Sequence, residues 1–269
     1  MKRIILTYNE SCNLSCDFCY INFHHKKIKD RTYEIIKKAI SLDFKVITFG
    51  GGDPFSKSSF RKSCILAKEN GLFTQVDTNC LAITKSDYNF IENYVNLIGI
   101  SLDGIGNTHD NMRKSNKLFS KAESVLRTLM KSNTKIKINT ILTKQNKDSV
   151  YDIYRYLSEL DSIYSWSIYQ FFPLSVAKEN QEIFEICNED FDNALTFLNK
   201  EERKFIIEKL KYSDRVIGYV FCDEQGNIYT NSLKGDYMYI CSIFDPDVAE
   251  KLSKFNELIN PITINRYVE

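Results

Sequence analysis

Nothing in the 269 residues approaches the run of roughly 18 apolar residues that a membrane-spanning helix requires. Charge of one sign is missing as well. With 36 basic against 35 acidic residues the net charge is +1, which excludes the global positive field that bulk nucleic-acid binding relies on. Only four prolines and ten glycines are present, and no low-complexity tract or flexible linker, so fibrous and disordered architectures are excluded. Met1-Lys2-Arg3 is followed by an apolar stretch too short for a signal peptide before Tyr8-Asn9-Glu10. The expected location is the cytoplasm, where eight cysteines need an explanation other than disulfides.

The first two thirds alternate short β-branched runs with amphipathic stretches. Strands are predicted at 3–8, 45–49, 73–77, 96–102, 136–142 and 166–171, and helices near 31–42, 56–70, 118–132 and 148–160. This succession indicates a parallel sheet with crossover helices, an α/β fold whose six units form an open (β/α)6 partial barrel of the TIM type. In such folds the chemistry sits where strands end. The loop after the first strand, Gly50–Pro54, Asp77–Asn79 and Ser101–Gly104 then share one rim. After Pro173 the pattern changes to a charged helical stretch over 189–211, split near Asn199-Lys200. A hairpin around Gly226-Asn227, with strands 215–221 and 228–230, and a last helix over 246–258 follow. The expected organisation is a core over 1–174 and a small α+β cap over 175–269.

Cys12, Cys16 and Cys19 fall within eight residues, and Cys64, Cys80, Cys187, Cys222 and Cys241 are scattered. Three thiolates on one loop can hold three irons of a [4Fe–4S] cubane and leave the fourth iron open to a ligand. A zinc loop completed by His24 or His25 is the competing reading.

The Cys-x3-Cys-x2-Cys spacing after a first strand, with Tyr20 beside the third cysteine, resembles the radical SAM superfamily. The resemblance implies a [4Fe–4S] cluster at Cys12, Cys16 and Cys19, with S-adenosylmethionine (SAM) chelated to the open iron. It implies reductive cleavage of SAM to methionine and a 5′-deoxyadenosyl radical, the protein supplying orientation and exclusion of water. Gly51-Gly52-Asp53-Pro54 resembles the family's Gly-Gly-Glu-Pro loop, implying a site for the methionine amino group, with Asp53 one methylene shorter. Thr78-Asn79-Cys80 resembles Thr-Asn-Gly, and Cys80 is either a buried inert thiol or a further ligand. Ser101 and Asp103 stand where the family contacts SAM, as does Asn139 near its ribose. His109-Asp110-x2-Arg113 resembles the segment whose arginine pairs with the SAM carboxylate, a task suited to a guanidinium fork.

Within the superfamily, Lys137–Thr140 with Asn146, Trp166-x3-Gln170, and Asp223-x2-Gly226 through Ser232 resemble viperin and its prokaryotic relatives. That resemblance implies dehydration of a nucleoside triphosphate after hydrogen abstraction from ribose C4′, with Lys137, Lys144 and Gln170 as substrate residues. Ser101-Leu102-Asp103-Gly104 and Ser167 depart from the viperin pattern, and the former is similar to peptide-modifying and sulfatase-maturing members. A peptide- or protein-modifying enzyme and a non-enzymatic iron–sulfur regulator are the alternatives. The implied partners are a small-molecule substrate and a reductant such as flavodoxin or ferredoxin, with no membrane. Cys187, Cys222 and Cys241 read as structural thiols.

Overall fold

The structure is a computed structural model that describes residues 3–202, 204–232 and 234–260. Met1-Lys2 and the last nine residues of the expected cap lie outside the described residues. Ten strands form one sheet: β1 (Arg3–Tyr8), β2 (Val46–Gly51), β3 (Phe73–Thr78), β4 (Leu97–Ser101), β5 (Lys135–Leu142), β6 (Ile163–Gln170), β7 (Ile206–Leu210), β8 (Phe221–Asp223), β9 (Asn227–Asn231) and β10 (Tyr237–Ser242). The spatial order is β10-β9-β8-β1-β2-β3-β4-β5-β6-β7. Strands β1 to β7 are parallel to their neighbours, as is β8 to β1, while β9 and β10 run antiparallel. Among the described residues no ladder joins β10 to β7, so the barrel is partial.

The crossovers carry α1 (Thr32–Ser41), α2 (Phe60–Glu69), α3 (Asp87–Tyr94), α4 (Asn107–Met112), α5 (Leu118–Leu129) and α6 (Val150–Ser158). Beyond them lie α7 (Val176–Glu179), α8 (Gln181–Phe184), α9 (Asn188–Ala194) and α10 (Val248–Asn256). None of these helices is long and apolar enough to cross a membrane.

The alternation of strand side chains makes the site possible. Ile4, Ile47, Val76, Ile98, Ile138 and Ile168 form a fully buried layer with helix residues such as Ile35, Ile36 and Ala39. The opposite parity carries Arg3, Thr48, Gln75, Asp77, Asn139 and Tyr169, which line the interior. A strand buried on both faces is ordinarily apolar throughout; here one face is polar and surrounds a cavity.

The C-terminal part departs from expectation in two places. Residues 206–210, expected as helix, form β7, which pairs with β6 from Ser165↔Ile206 to Tyr169↔Leu210. Pairing with an otherwise open strand outweighs the helical leaning of its Glu and Lys. Residues 215–221, expected as strand, contribute only Phe221 to β8, because Ser213–Arg215 closes a tight 3-10 turn. The hairpin turns at Gly226, whose φ of +95° suits glycine and whose N–H meets Asp223 O at 3.0 Å. The sheet therefore continues past residue 174 on both edges, through β7 on β6 and β8 on β1.

Candidate active site

Residues 9–31 contain neither helix nor strand, so contacts from elsewhere shape the loop that carries the three cysteines. Cys19 N–H donates to Cys16 O at 3.2 Å, which turns the loop back on itself. The backbone of Ala177 holds Cys19 O at 3.1 Å, and Ser175 Oγ donates to Ile21 O at 3.0 Å. Cys12, Cys16 and Cys19 are partly buried and line one cavity of about 570 Å³. Burial pushes the Cys16 thiol up to about 11 and the Cys19 thiol up to about 12, although Arg113 opposes both shifts. Both are protonated near neutral pH without metal, so loading the loop releases protons.

The glycine loop at the end of β2 lies directly against this segment. Gly52 N–H donates to Tyr8 O at 2.8 Å, and a Cβ on Gly52 would stand 2.2 Å from Ser11 O. Gly51 has φ of +83° and leaves its Cβ position 2.4 Å from Tyr8 N. Gly50 presents bare backbone to the cavity, with nothing within 4 Å of where a Cβ would point. Asp53 is 3% exposed, and its carboxylate accepts from Phe55 N–H (3.0 Å), Thr78 Oγ1 (2.7 Å) and Asn79 N–H (2.8 Å). Burial raises its pKa while these donors lower it. The carboxylate thus ties the β2 loop to the β3 loop, and Pro54 opens the short turn that follows. Asn79 Nδ2 donates to Asn13 Oδ1 at 2.8 Å, carrying the brace into the cysteine loop.

Arg113 and Asp103 form a buried pair, Nε to Oδ2 at 2.6 Å, with the guanidinium 5.5 Å above the Phe18 ring. Arg113 lines the cavity; Asp103, fully buried, reaches it through Arg113. Asp103 Oδ1 also accepts from Ile141 N–H at 2.8 Å. Asp103 N–H donates to His109 Nδ1 at 3.0 Å, which requires that nitrogen to be unprotonated. Burial, then Arg113, lowers the His109 pKa from 6.5 to about 4. The unfolded chain therefore takes up this proton at higher pH than the folded one. Stability from His109 is complete above pH 6.5 and declines as pH falls toward 4, by on the order of 3 kcal/mol. Urea denaturation of the cluster-free chain across that range should show the decline, and His109→Gln should flatten it.

Tyr20, Ser101 and Asn139 line the cavity, with the Tyr20 ring 6.2 Å from Phe221. Asn139 Nδ2 donates to Asp77 Oδ1 at 3.0 Å, and its own Oδ1 is buried without a hydrogen bond. A Cβ on Gly99 would stand 2.1 Å from Asp77 Oδ1, so only glycine leaves room for this pair. Lys137 is 1% exposed, lines the cavity and donates to Tyr169 Oη at 3.0 Å.

The other two expected substrate residues lie elsewhere. Lys144 is exposed and reaches Glu182 O at 3.1 Å. Gln170 has the parity of Trp166 and Ile168, facing away from the cavity, and donates to Ile186 O at 2.9 Å. Arg3 and Arg215, buried in the same wall as Lys137, were not anticipated. Arg3 donates to Thr48 Oγ1 and Gln75 Oε1, and Arg215 to Gln170 O. A charged residue at an inward position of a largely apolar strand was the available signal for Arg3.

His24 Nδ1 accepts from Lys26 N–H and its ring faces Glu224; His25 lines the cavity. Among the described residues no three His, Cys, Asp or Glu side chains converge as ligands of one metal ion. A cubane instead places each thiolate on its own iron and suits thiols set around a space. Cys64, Cys80, Cys222 and Cys241 are buried free thiols, and Cys187 Sγ caps α9. Cys80, at φ +70° where glycine is favoured, is not among the cavity residues.

A partial parallel barrel with a three-cysteine loop on its rim defines an iron–sulfur enzyme class. Residues 6–157 match the radical SAM superfamily, and the chain belongs to it. It is 25% identical over 257 residues to an S-adenosylmethionine-dependent nucleotide dehydratase of Flammeovirga pacifica, covering 90% of this chain and 86% of that one. It is 25% identical over 271 residues to one of Lacinutrix mariniflava, covering 92% of this chain and 54% of that longer relative. The solved structure "Native anSMEcpe with bound AdoMet" superposes with TM-score 0.70 at 18% identity, covering 96% of this chain and 83% of that chain. The chain is thus a radical SAM enzyme whose cofactors are a [4Fe–4S] cluster and SAM. The residues present fit both groups: three thiols around one cavity, bare backbone at Gly50, and the open acceptor of Asn139.

Proposed function

We propose that this enzyme dehydrates a nucleoside triphosphate. The observation that carries the reading is the grouping of Arg3, Lys137 and Arg215, each at most 8% exposed, on the wall of the cavity that also holds the cysteine loop. Two guanidinium forks and an ammonium favour a guest with several phosphate oxygens. The nucleotide dehydratases among its relatives support the same class of substrate.

In this reading Cys12, Cys16 and Cys19 hold the cluster. The backbone of Gly50 and Gly51, with Ser101, Arg113 and Asn139, holds SAM, and Asp53 and Asp103 act by bracing that frame. When bound, those cofactors would supply, on one-electron reduction, a 5′-deoxyadenosyl radical able to abstract hydrogen at ribose C4′. Lys137, Arg3 and Arg215 fix the phosphates so that the ribose lies between them and the rim. Loss of the 3′ hydroxyl as water consumes one proton, and a second electron from the reductant completes the product. Residues 1–174 are proposed as the catalytic core and 175–269 as the part that closes it.

The test is anaerobic reconstitution with SAM and dithionite, measuring 5′-deoxyadenosine without substrate and with each common nucleoside triphosphate. Strong stimulation by one nucleotide, with a product lighter by one water, is expected. Cleavage unaffected by every nucleotide would overturn the reading and direct the search to peptides.

A further inference from the structure

The cysteine loop begins at Asn9 and ends at Arg31, and both ends meet one residue of the C-terminal hairpin. Glu224, in the turn between β8 and β9, is 2% exposed. Its carboxylate accepts from Asn9 N–H at 3.1 and 2.9 Å through its two oxygens, and from Glu10 N–H at 2.7 Å. Its own carbonyl accepts from Arg31 N–H at 2.9 Å. Between these ends, His24 N–H donates to Asn9 O at 3.1 Å, and His24 Nε2 stands 3.7 Å from Glu224 Oε1. Tyr229, on the next strand, receives Asn9 Nδ2 at 3.2 Å and pairs with Thr7 Oγ1 at 2.6 Å.

Holding the two ends of a long irregular segment together opposes its conformational entropy. Short charge-assisted bonds from a buried carboxylate are among the stronger ways to do so. Among the described residues Glu224 is the acidic side chain whose carboxylate accepts from the backbone N–H groups of residues 9 and 10. The last N–H that the Glu224 carboxylate holds is that of Glu10, two residues before Cys12.

We infer that Glu224 is a positioning residue for the iron–sulfur loop, fixing where its first cysteine stands and placing a buried negative charge behind it. The inference rests on the family of the enzyme and not on its substrate, so it survives if nucleotides prove inert. In a low-dielectric interior a fixed anion disfavours addition of an electron nearby. Neutralising Glu224 should therefore make the cluster easier to reduce, a consequence that a purely structural role does not have.

The experiment compares full-length, reconstituted wild type with Glu224→Ala and Glu224→Gln. Glu224→Gln keeps the size and one acceptor but loses the charge, and it carries the test if Glu224→Ala fails to fold. The readouts are cluster bleaching by an iron chelator, the midpoint potential, and the electron paramagnetic resonance of the reduced cluster. Expected are bleaching faster by roughly tenfold or more in Glu224→Ala, and an intermediate rate in Glu224→Gln. The potential of Glu224→Gln should be shifted positive and its resonance altered. Wild-type potential and resonance in Glu224→Gln would overturn the inference, whether or not the variant is less stable.

Discussion

Replacing Cys12, Cys16 and Cys19 together with alanine should take bound iron from about four per chain to near zero and SAM cleavage to background. The expectation is sharp because all three thiols are partly exposed to the cavity. Trimming them removes little packing, so the fold should persist. Circular dichroism of the variant checks that point, while iron analysis and 5′-deoxyadenosine check the loss. Retained cleavage in a folded, iron-free variant would remove the central assignment. Zinc uptake by the wild type in place of iron would revive the reading that included His24 or His25.

The second large effect concerns Asp103. Asp103→Asn leaves Arg113 buried without its carboxylate, and breaking a buried pair from one side costs about 3–5 kcal/mol. In a chain of this size that corresponds to a loss on the order of 10 °C in melting temperature. Asn can retain the bond from Ile141 N–H (2.8 Å in the wild type), so the loss reports the charge more than the shape. Combining Asp103→Asn with Arg113→Met should cost less than the sum of the two changes, since the stranded cation is gone. Urea denaturation of the four proteins measures the coupling, and simple additivity would show that the pair contributes little. SAM binding should weaken in every variant, because Asp103 aims the guanidinium that lines the cavity.

How much of this was legible in the sequence follows from what local patterns encode. The cysteine spacing and the Gly51–Pro54 loop are contiguous, and their chemistry depends on neighbours in the chain. The six core strands show themselves because their helix-facing positions are largely apolar, as in Ile4 and Leu6 or Ile136 and Ile138. β7 and β10 did not, since both are edge strands with exposed residues such as Ile206 and Tyr239 and no continuous apolar run. Residues 87–94 form α3, which buries Ile91 and packs Tyr88, Phe90 and Tyr94 against the core, but its eight residues are too short a span for the period to stand out.

The candidate site divides the same way. Lys137 and Asn139 share a strand face and both reach the cavity. Gln170 belongs to the face of Trp166 and Ile168, and an error of one residue in strand parity reverses the direction of a side chain. Arg3 and Arg215 come from opposite ends of the chain, and nothing local relates them. Their meeting depends on Ile5↔Phe221, the ladder that sets β8 beside β1.

That ladder also imposes an order on the birth of the enzyme. β1 is made first, yet its outer neighbour β8 and the Glu224 that gathers the cysteine loop emerge some two hundred residues later. At ordinary translation speeds the first strand waits on the order of ten seconds or more for its partner. During that interval the backbone N–H groups of Asn9 and Glu10, at the start of the cysteine loop, lack the carboxylate that holds them. Until then the far end of the loop also lacks its bond from Arg31 N–H to Glu224 O.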